Sequence, residues 1–275
     1  MRAVARAVAD GALPGRVWLY SNYHCNLACS YCLTESAPKV LKRELTARHM
    51  LEVATEANAL GFTALGVTGG EPFLLPHMPE TIARLASVLP VVVLTNGTLF
   101  NTARLERMGP LADLPVQIQI SLDSADPIVN DTMRGPENWR KAIEAIPSLI
   151  RRGIRVRIAT TGEEIDDDDL ARLCSLHRRL GVSDEDHVVR PIVQRGRAAD
   201  NGMGVFAEAG DLPPELTITA DGAFWSPFGP TVHGGTLDTD LLVTRATAPL
   251  SMPASALLRL VMGRPAGSDA KLHIR

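Results

Sequence analysis

Cysteine is scarce in this chain, with four residues among 275, and this scarcity narrows the classes of protein that the sequence allows. A secreted fold held by disulfides needs paired cysteines spread along the chain, so that class is disfavoured. No apolar run approaches the roughly 20 residues that span a bilayer, and the N-terminal residues contain no continuous apolar stretch of the kind a secretory signal has. The net charge of −3 offers no attraction for nucleic acid or an anionic membrane. We therefore expect a cytoplasmic protein with neither partner.

The recurring feature that the sequence does contain is a short apolar strand followed by a segment of helical periodicity. Six such strands are rich in valine and isoleucine and are bounded by glycine, proline or polar residues. Strand–helix units in series predict a parallel sheet with right-handed crossovers, and six units leave a TIM barrel open, so the expected fold is an α/β partial (β/α)6 barrel. The predicted strands are 16–20, 63–67, 91–95, 116–121, 154–160 and 187–191.

Helical periodicity predicts the segments between the strands. One helix is expected from about Thr46, a plausible N-cap, to Leu60, followed by the stop signal Gly61. Further helices are expected around residues 82–89, after residue 101, and over 138–152 and 169–180. Pro147 is expected to kink or split the helix over 138–152 because proline lacks a backbone donor.

Three of the four cysteines are crowded into one segment at the end of the first predicted strand. Cys25, Cys29 and Cys32 have the spacing C-x3-C-x2-C. One interpretation is a structural zinc site, which needs four protein ligands and would take His24 or Cys174 as the fourth. The other is an iron–sulfur cluster held by three thiolates, with one iron left open for a ligand.

This segment, with Tyr31 in the aromatic position before Cys32, resembles the signature of the radical S-adenosylmethionine (radical SAM) superfamily. The resemblance implies that Cys25, Cys29 and Cys32 hold one [4Fe–4S] cluster. It also implies that S-adenosylmethionine binds the open iron and is cleaved to a 5′-deoxyadenosyl radical, which abstracts hydrogen from a substrate.

Three further segments resemble elements of the same superfamily, each at a predicted strand end. They are TGGEP (68–72), TNG (95–97) and SLD (121–123). By this resemblance the glycine backbone and the acidic side chain hold the methionine ammonium of S-adenosylmethionine, and the other polar side chains reach its ribose or methionine end. The implied binding residues are Gly69, Gly70, Glu71, Thr95, Asn96 and Ser121, while no catalytic residue is assigned. The segment 190–198 resembles the part of the family that lies along the adenine.

The chain divides into three expected regions: an N-terminal segment (1–15), a radical SAM core (16–198) and a C-terminal region (199–275). The C-terminal region is predicted to contain a hairpin around an Asp-Gly turn and at most one helix, near 254–262. Its layout resembles the cysteine-rich SPASM or twitch extensions of many relatives, but Ser226 stands where the first cysteine would be. We expect a lid that holds no auxiliary cluster.

The substrate expected from the resemblance is a peptide, as in the maturation of ribosomally made peptides, or a small biosynthetic intermediate. A flavodoxin- or ferredoxin-type protein is the implied electron donor, and a separate peptide-recognition protein is a further expected partner. Tailoring of a cofactor or natural product is the alternative function. A non-catalytic, cluster-bearing partner protein is the second alternative.

Several other polar residues have both a structural and a functional interpretation. The acidic run 163–169 precedes a helix, where negative charge is favoured, so a solvated helix start is expected. Cys174 is expected to be a core thiol. Three arginines and one histidine either face the site or form ordinary surface contacts, and they are Arg157, Arg190, Arg195 and His233.

Overall fold

Six parallel strands form the centre of the fold in a computed structural model that describes residues 2–162 and 165–263. They pair in chain order, each with the next. The strands are β1 (Arg16–Tyr20), β2 (Ala64–Thr68), β3 (Val91–Thr95), β4 (Val116–Ser121), β5 (Arg155–Gly162) and β6 (His187–Pro191). The predicted strands are confirmed to within two residues. The sheet remains open, as expected of a partial barrel.

Helices connect these strands, and their starts follow the capping residues in the sequence. The Thr46 hydroxyl accepts a hydrogen bond from the His49 amide at 3.1 Å, and Asn101 caps the helix after β3 in the same way. The helices are α1 (Arg2–Ala9), α2 (Ala47–Ala59), α3 (Met78–Ala86), α4 (Thr102–Met108), α5 (Pro127–Arg134), α6 (Asn138–Ile150) and α7 (Asp167–Arg179). Of the helices from α1 to α7, two were not anticipated, the first and the one that Asp126 caps.

The helix α6 runs without interruption through Pro147, so the predicted split at this residue is wrong. Proline removes one backbone donor, but burial of one helix face against the sheet compensates for that loss. Ala142, Ile146 and Leu149 are all buried on that face. Of the acidic run expected to begin α7, Glu163 and Glu164 lie outside the described residues, whereas Asp166 caps the helix.

The two faces of the sheet differ in chemistry. Leu19, Val67 and Ile118 belong to the apolar core between the sheet and the helices. The alternate residues Trp18 and Gln119 are also buried but lie outside that core. Because successive side chains of a strand point to opposite faces, Trp18 and Gln119 lie on the concave, interior face. The interior of the partial barrel is therefore the more polar side.

The C-terminal region extends the same sheet at its β1 edge. The predicted hairpin is confirmed, and its first strand pairs with β1 in parallel, through Trp18 with Thr217 and Leu19 with Ile218. The last helix contacts α1. The elements are α8 (Arg197–Asp200), β7 (Thr217–Thr219), β8 (Gly222–Phe224), β9 (Val232–His233), β10 (Thr236–Leu237), β11 (Leu242–Thr244) and α9 (Ser251–Met262). In the described part of the chain no helix is long and apolar enough to cross a membrane.

Candidate active site

A cavity opens at the carboxyl ends of the parallel strands, where chemistry collects in folds of this kind. All three clustered cysteines line it, together with residues from β1 to β6 and from the C-terminal region. The lining residues include Trp18, Tyr20, Cys25, Cys29, Tyr31, Cys32, Gly69, Gly70, Thr95, Asn96, Ser121, Arg134, Thr161, Arg190, Pro227 and Phe228.

The cysteine loop follows β1 and is held by hydrogen bonds from distant parts of the chain. The Ser30 amide donates to the carbonyl of Met133 at 2.8 Å. The Arg197 guanidinium donates to the carbonyl of Cys29 and, at 3.0 Å, to that of Ser36. The loop is thus tied to α5 and α8. These contacts hold the backbone that carries the three thiols.

Burial makes the cysteine thiols poor acids in the absence of a cation. Burial raises the pKa of Cys25 to about 12, and it also raises the pKa of Cys29, although the nearby Arg134 guanidinium opposes the second shift. The Cys25 sulfur accepts hydrogen bonds from the Leu27 amide at 3.4 Å and from the Asn96 side chain at 3.6 Å. Iron would supply the positive charge that stabilises thiolates. The donor set therefore fits an iron–sulfur cluster.

Neither candidate for a fourth protein ligand lines the cavity. The His24 ring nitrogen Nδ1 lies 3.5 Å from the Asn22 amide and 3.6 Å from a Glu44 carboxylate oxygen. The Cys174 sulfur lies on α7, 4.0 Å from the His187 ring. Cys174 is only partly buried, so the expectation of a core thiol is wrong. Three thiols without either residue favour the cluster over a closed zinc site.

Two glycines bring the end of β2 against the beginning of the cysteine loop. Gly69 has a φ of +147°, and a Cβ atom on Gly70 would lie 2.1 Å from the carbonyl oxygen of His24. The Asn22 side chain joins the two segments by donating to the carbonyls of His24 and Glu71, each at 3.1 Å. The glycine backbone can therefore form part of the cavity wall beside the cysteines.

Glu71 lies beneath the cavity wall and is fully buried. Its carboxylate accepts hydrogen bonds from the Phe73 amide at 3.0 Å, the Thr95 hydroxyl at 2.9 Å and the Asn96 amide at 2.8 Å. Burial raises its pKa, and the Asn96 and Phe73 amides oppose that shift. Glu71 is not among the described residues that line the cavity. A direct contact between its carboxylate and a methionine ammonium therefore stays a prediction. The structure shows a carboxylate that orients Thr95 and Asn96.

The side chain of Asn96 is engaged with the cysteine loop. Its amide donates to the Asn26 side chain at 3.0 Å, and its oxygen accepts from Thr98. Glu71, Asn96 and Cys25 thus form one connected hydrogen-bonded set. Among the predicted binding residues, Gly69, Gly70, Thr95, Asn96 and Ser121 all line the cavity.

A buried polar network that sequence reasoning missed supports the other side of the cysteine loop. The Tyr31 hydroxyl donates to Asp123 at 2.5 Å, and the Arg134 guanidinium donates to Asp123 at 3.0 Å and also to Tyr31. The Asp123 carboxylate further accepts from the Thr161 amide at 3.0 Å. The carbonyl of Arg134 lies 3.5 Å from the Cys29 sulfur. Arg134 carried no sequence signal because its importance depends on α5, which was not predicted.

The four residues with open interpretations take different positions. Arg190 lines the cavity. Arg157 lies half-buried on β5, and its pKa is lowered first by burial and second by the nearby Arg16 guanidinium. Arg195 is paired with Asp240 at 2.6 Å and therefore has a structural role. His233 is exposed.

Two curated relatives resemble part of the chain. This chain is 31% identical over 183 residues to the mycofactocin maturase MftC of Mycobacterium ulcerans, and the match covers 65% of this chain and 47% of MftC. This chain is also 32% identical over 162 residues to the antilisterial bacteriocin subtilosin biosynthesis protein AlbA of Bacillus subtilis, and this match covers 58% of this chain and 36% of AlbA. The chain spans about half the length, or less, of these curated relatives.

A solved structure shares the fold of this chain, and a family profile identifies its family. The structure of native anSMEcpe with bound AdoMet and Cp18Cys peptide matches with a TM-score of 0.61 at 10% identity, over 91% of this chain and 84% of the other. This likeness shows the fold. The profile described as the Radical SAM superfamily matches residues 19–177, which is more than half of the chain. The chain therefore belongs to the radical SAM superfamily.

Proposed function

We propose that this protein cleaves S-adenosylmethionine reductively at a [4Fe–4S] cluster held by Cys25, Cys29 and Cys32, and that it acts on a peptide. Membership of the superfamily implies both cofactors. The observation that carries the proposal is that one cavity brings the three thiols beside the glycine edge of β2 and the polar ends of β3 and β4. The cluster, when bound, would supply the electron that releases a 5′-deoxyadenosyl radical for hydrogen abstraction.

The residues of this chain position the cosubstrate in this proposal. The backbone at Gly69 and Gly70 holds its amino-acid end, and Thr95, Asn96 and Ser121 contribute polar groups along the cavity wall. Glu71 acts through its hydrogen bonds, because its carboxylate orients Thr95 and Asn96 without lining the cavity. Pro227 and Phe228 bring the C-terminal region to the cavity, which supports a role for that region as a lid over the core.

A peptide substrate is supported by the printed descriptions of the similar proteins, two of which name maturation or bacteriocin biosynthesis and one a bound peptide. The proposal includes a flavodoxin- or ferredoxin-type electron donor and a separate peptide-recognition protein. It also places the protein in the cytoplasm, since a reducing compartment keeps the cysteines available for iron.

The peptide function predicts transfer of hydrogen from peptide to cosubstrate. The reconstituted, reduced protein is incubated without oxygen with S-adenosylmethionine and with each short peptide encoded beside its gene, prepared with deuterium on carbon. We expect deuterium in the 5′-deoxyadenosine for one such peptide, measured by mass spectrometry. Undeuterated peptide is the matched control. Deuterium-free 5′-deoxyadenosine with every peptide would contradict the peptide role and favour a small-molecule substrate.

A further inference from the structure

The guanidinium of Arg190 stands out because it lines the cavity without a hydrogen-bond or ion-pair partner among residues 2–162 and 165–263. Its Nε atom is buried and makes no hydrogen bond, and no ion pair or side-chain hydrogen bond joins Arg190 to the other residues that the structure describes. Burial lowers the pKa of Arg190 to about 10, so the group is still charged at neutral pH. An uncompensated charge in a partly desolvated site is costly unless a counter-charge arrives.

The position of Arg190 follows from the register of the sheet. It is paired with Thr161 of β5, which also lines the cavity, and alternate residues of the two strands face the interior of the partial barrel. The proposed cosubstrate residues lie at the ends of β2, β3 and β4, whereas Arg190 lies on β6, beyond β5. The guanidinium is thus placed across the sheet from the glycine edge.

Among the described residues, two further arginines lie near Arg190. After burial, the guanidinium group of Arg157 lowers the pKa of Arg190 most and that of Arg16 lowers it less, whereas Tyr31 and the Glu215 carboxylate oppose these shifts. Glu215 is already engaged, since it accepts a hydrogen bond from the Trp18 indole at 2.5 Å and lies 3.8 Å from Arg16. This carboxylate is therefore not available to neutralise Arg190.

We propose that Arg190 binds a carboxylate of the substrate peptide, so that the enzyme selects a peptide with an acidic side chain or a free C-terminus near the reacting residue. A guanidinium offers paired donors that match the two oxygens of a carboxylate. Trp18, Tyr20 and Phe228 line the same cavity and present aromatic surface for the rest of the residue. This inference rests on the proposed peptide function and identifies the chemistry that the site recognises.

A binding experiment without turnover tests this inference. Isothermal titration calorimetry is performed anaerobically on the reconstituted protein with S-adenosylmethionine present. The probes are N-acetylglutamate N-methylamide, which has a side-chain carboxylate, N-acetylglutamine, which has a terminal carboxylate, and the neutral N-acetylglutamine N-methylamide. We expect at least one carboxylate probe to bind about tenfold or more tightly than the neutral one, because only the charged probe forms a charge-assisted hydrogen bond with the guanidinium.

Variants assign that preference to one side chain. Arg190→Met should remove it, Arg190→Lys should restore part of it, and Arg155→Met should leave it unchanged, because Arg155 is exposed and paired with Asp186. Equal binding of charged and neutral probes, or a preference that survives in Arg190→Met, would overturn the inference. If Arg190→Met lost as much affinity for S-adenosylmethionine as for the carboxylate probe, that result would also overturn the inference, because it would assign Arg190 to the cosubstrate. Because no step needs cleavage, a failure here is separate from a failure of the proposed radical chemistry.

Discussion

Replacing Cys29 with alanine should abolish cluster binding, with iron and sulfide content falling to background after anaerobic reconstitution. Two remaining thiols and solvent hold a cluster poorly, and loss of a direct ligand should exceed the roughly 10–100-fold cost of losing an outer partner. The effect should be specific, because the loop around Cys29 is also held by hydrogen bonds from Arg197 to backbone carbonyls. The fold should therefore persist, as far-ultraviolet circular dichroism can show.

Cys174→Ala is the matched control for this prediction. Its sulfur contacts the His187 ring and lies outside the set of cavity-lining residues. We expect this variant to keep its full iron content and to show the same iron–sulfur cluster absorbance as the wild-type protein. Full iron in Cys29→Ala, or loss of iron in Cys174→Ala, would contradict the assignment of the three ligands.

Removal of the Glu71 carboxylate should weaken both the fold and the affinity for S-adenosylmethionine. Glu71→Ala leaves the Phe73 amide, the Asn96 amide and the Thr95 hydroxyl without their acceptor. Each buried donor without a partner costs about 1–3 kcal/mol, so we expect about 3 kcal/mol or more of lost stability by urea unfolding. Glu71→Gln keeps the shape but presents an amide to one of the backbone donors, which should displace Thr95 or Asn96.

The positioning role of Glu71 is tested by affinity as well as by stability. At a temperature where Glu71→Gln remains folded, its dissociation constant for S-adenosylmethionine should rise about tenfold, a change of about 1.4 kcal/mol. Glu80→Gln is the control, since Glu80 is an exposed glutamate paired with Arg107 at 2.8 Å, and its effect on stability should stay within about 0.5 kcal/mol. Unchanged affinity in Glu71→Gln would show that its hydrogen bonds do not shape the cosubstrate site.

Local patterns in the sequence were sufficient for the six parallel strands, the hairpin and most helices, but not for the short strands β9, β10 and β11. Strand segments such as 91–95 are short, apolar and flanked by proline and polar residues, and the structure places them as predicted. The helix α1 was missed because it has only two turns, and its burial of Val4 and Val8 is completed by contact with α9 at the far end of the chain. Such a long-range contact leaves little local signal.

The site was predictable in its residue types but not in its hydrogen bonds. The cysteine spacing and the glycine pair located the cavity, since parallel strands bring their carboxyl ends to one edge. The Glu71 carboxylate could point into the cavity or bind Thr95 from behind the cavity wall. The choice depends on how β3 packs against the loop after β2, and the periodicity of the sequence does not specify that packing. Likewise, the pairing of β7 with β1 joins residues about 200 positions apart, and nothing in the hairpin sequence indicates its partner.

The central claim is that the three thiols and the glycine edge form one site for cleavage of S-adenosylmethionine. The most direct test reconstitutes the protein anaerobically with iron and sulfide, reduces it with dithionite, adds S-adenosylmethionine and quantifies 5′-deoxyadenosine and methionine by mass spectrometry. We predict release of both products in equal amounts by the wild-type protein and none by Cys29→Ala. Absence of 5′-deoxyadenosine from a fully iron-loaded protein that binds S-adenosylmethionine, with dithionite and every candidate peptide present, would contradict the account.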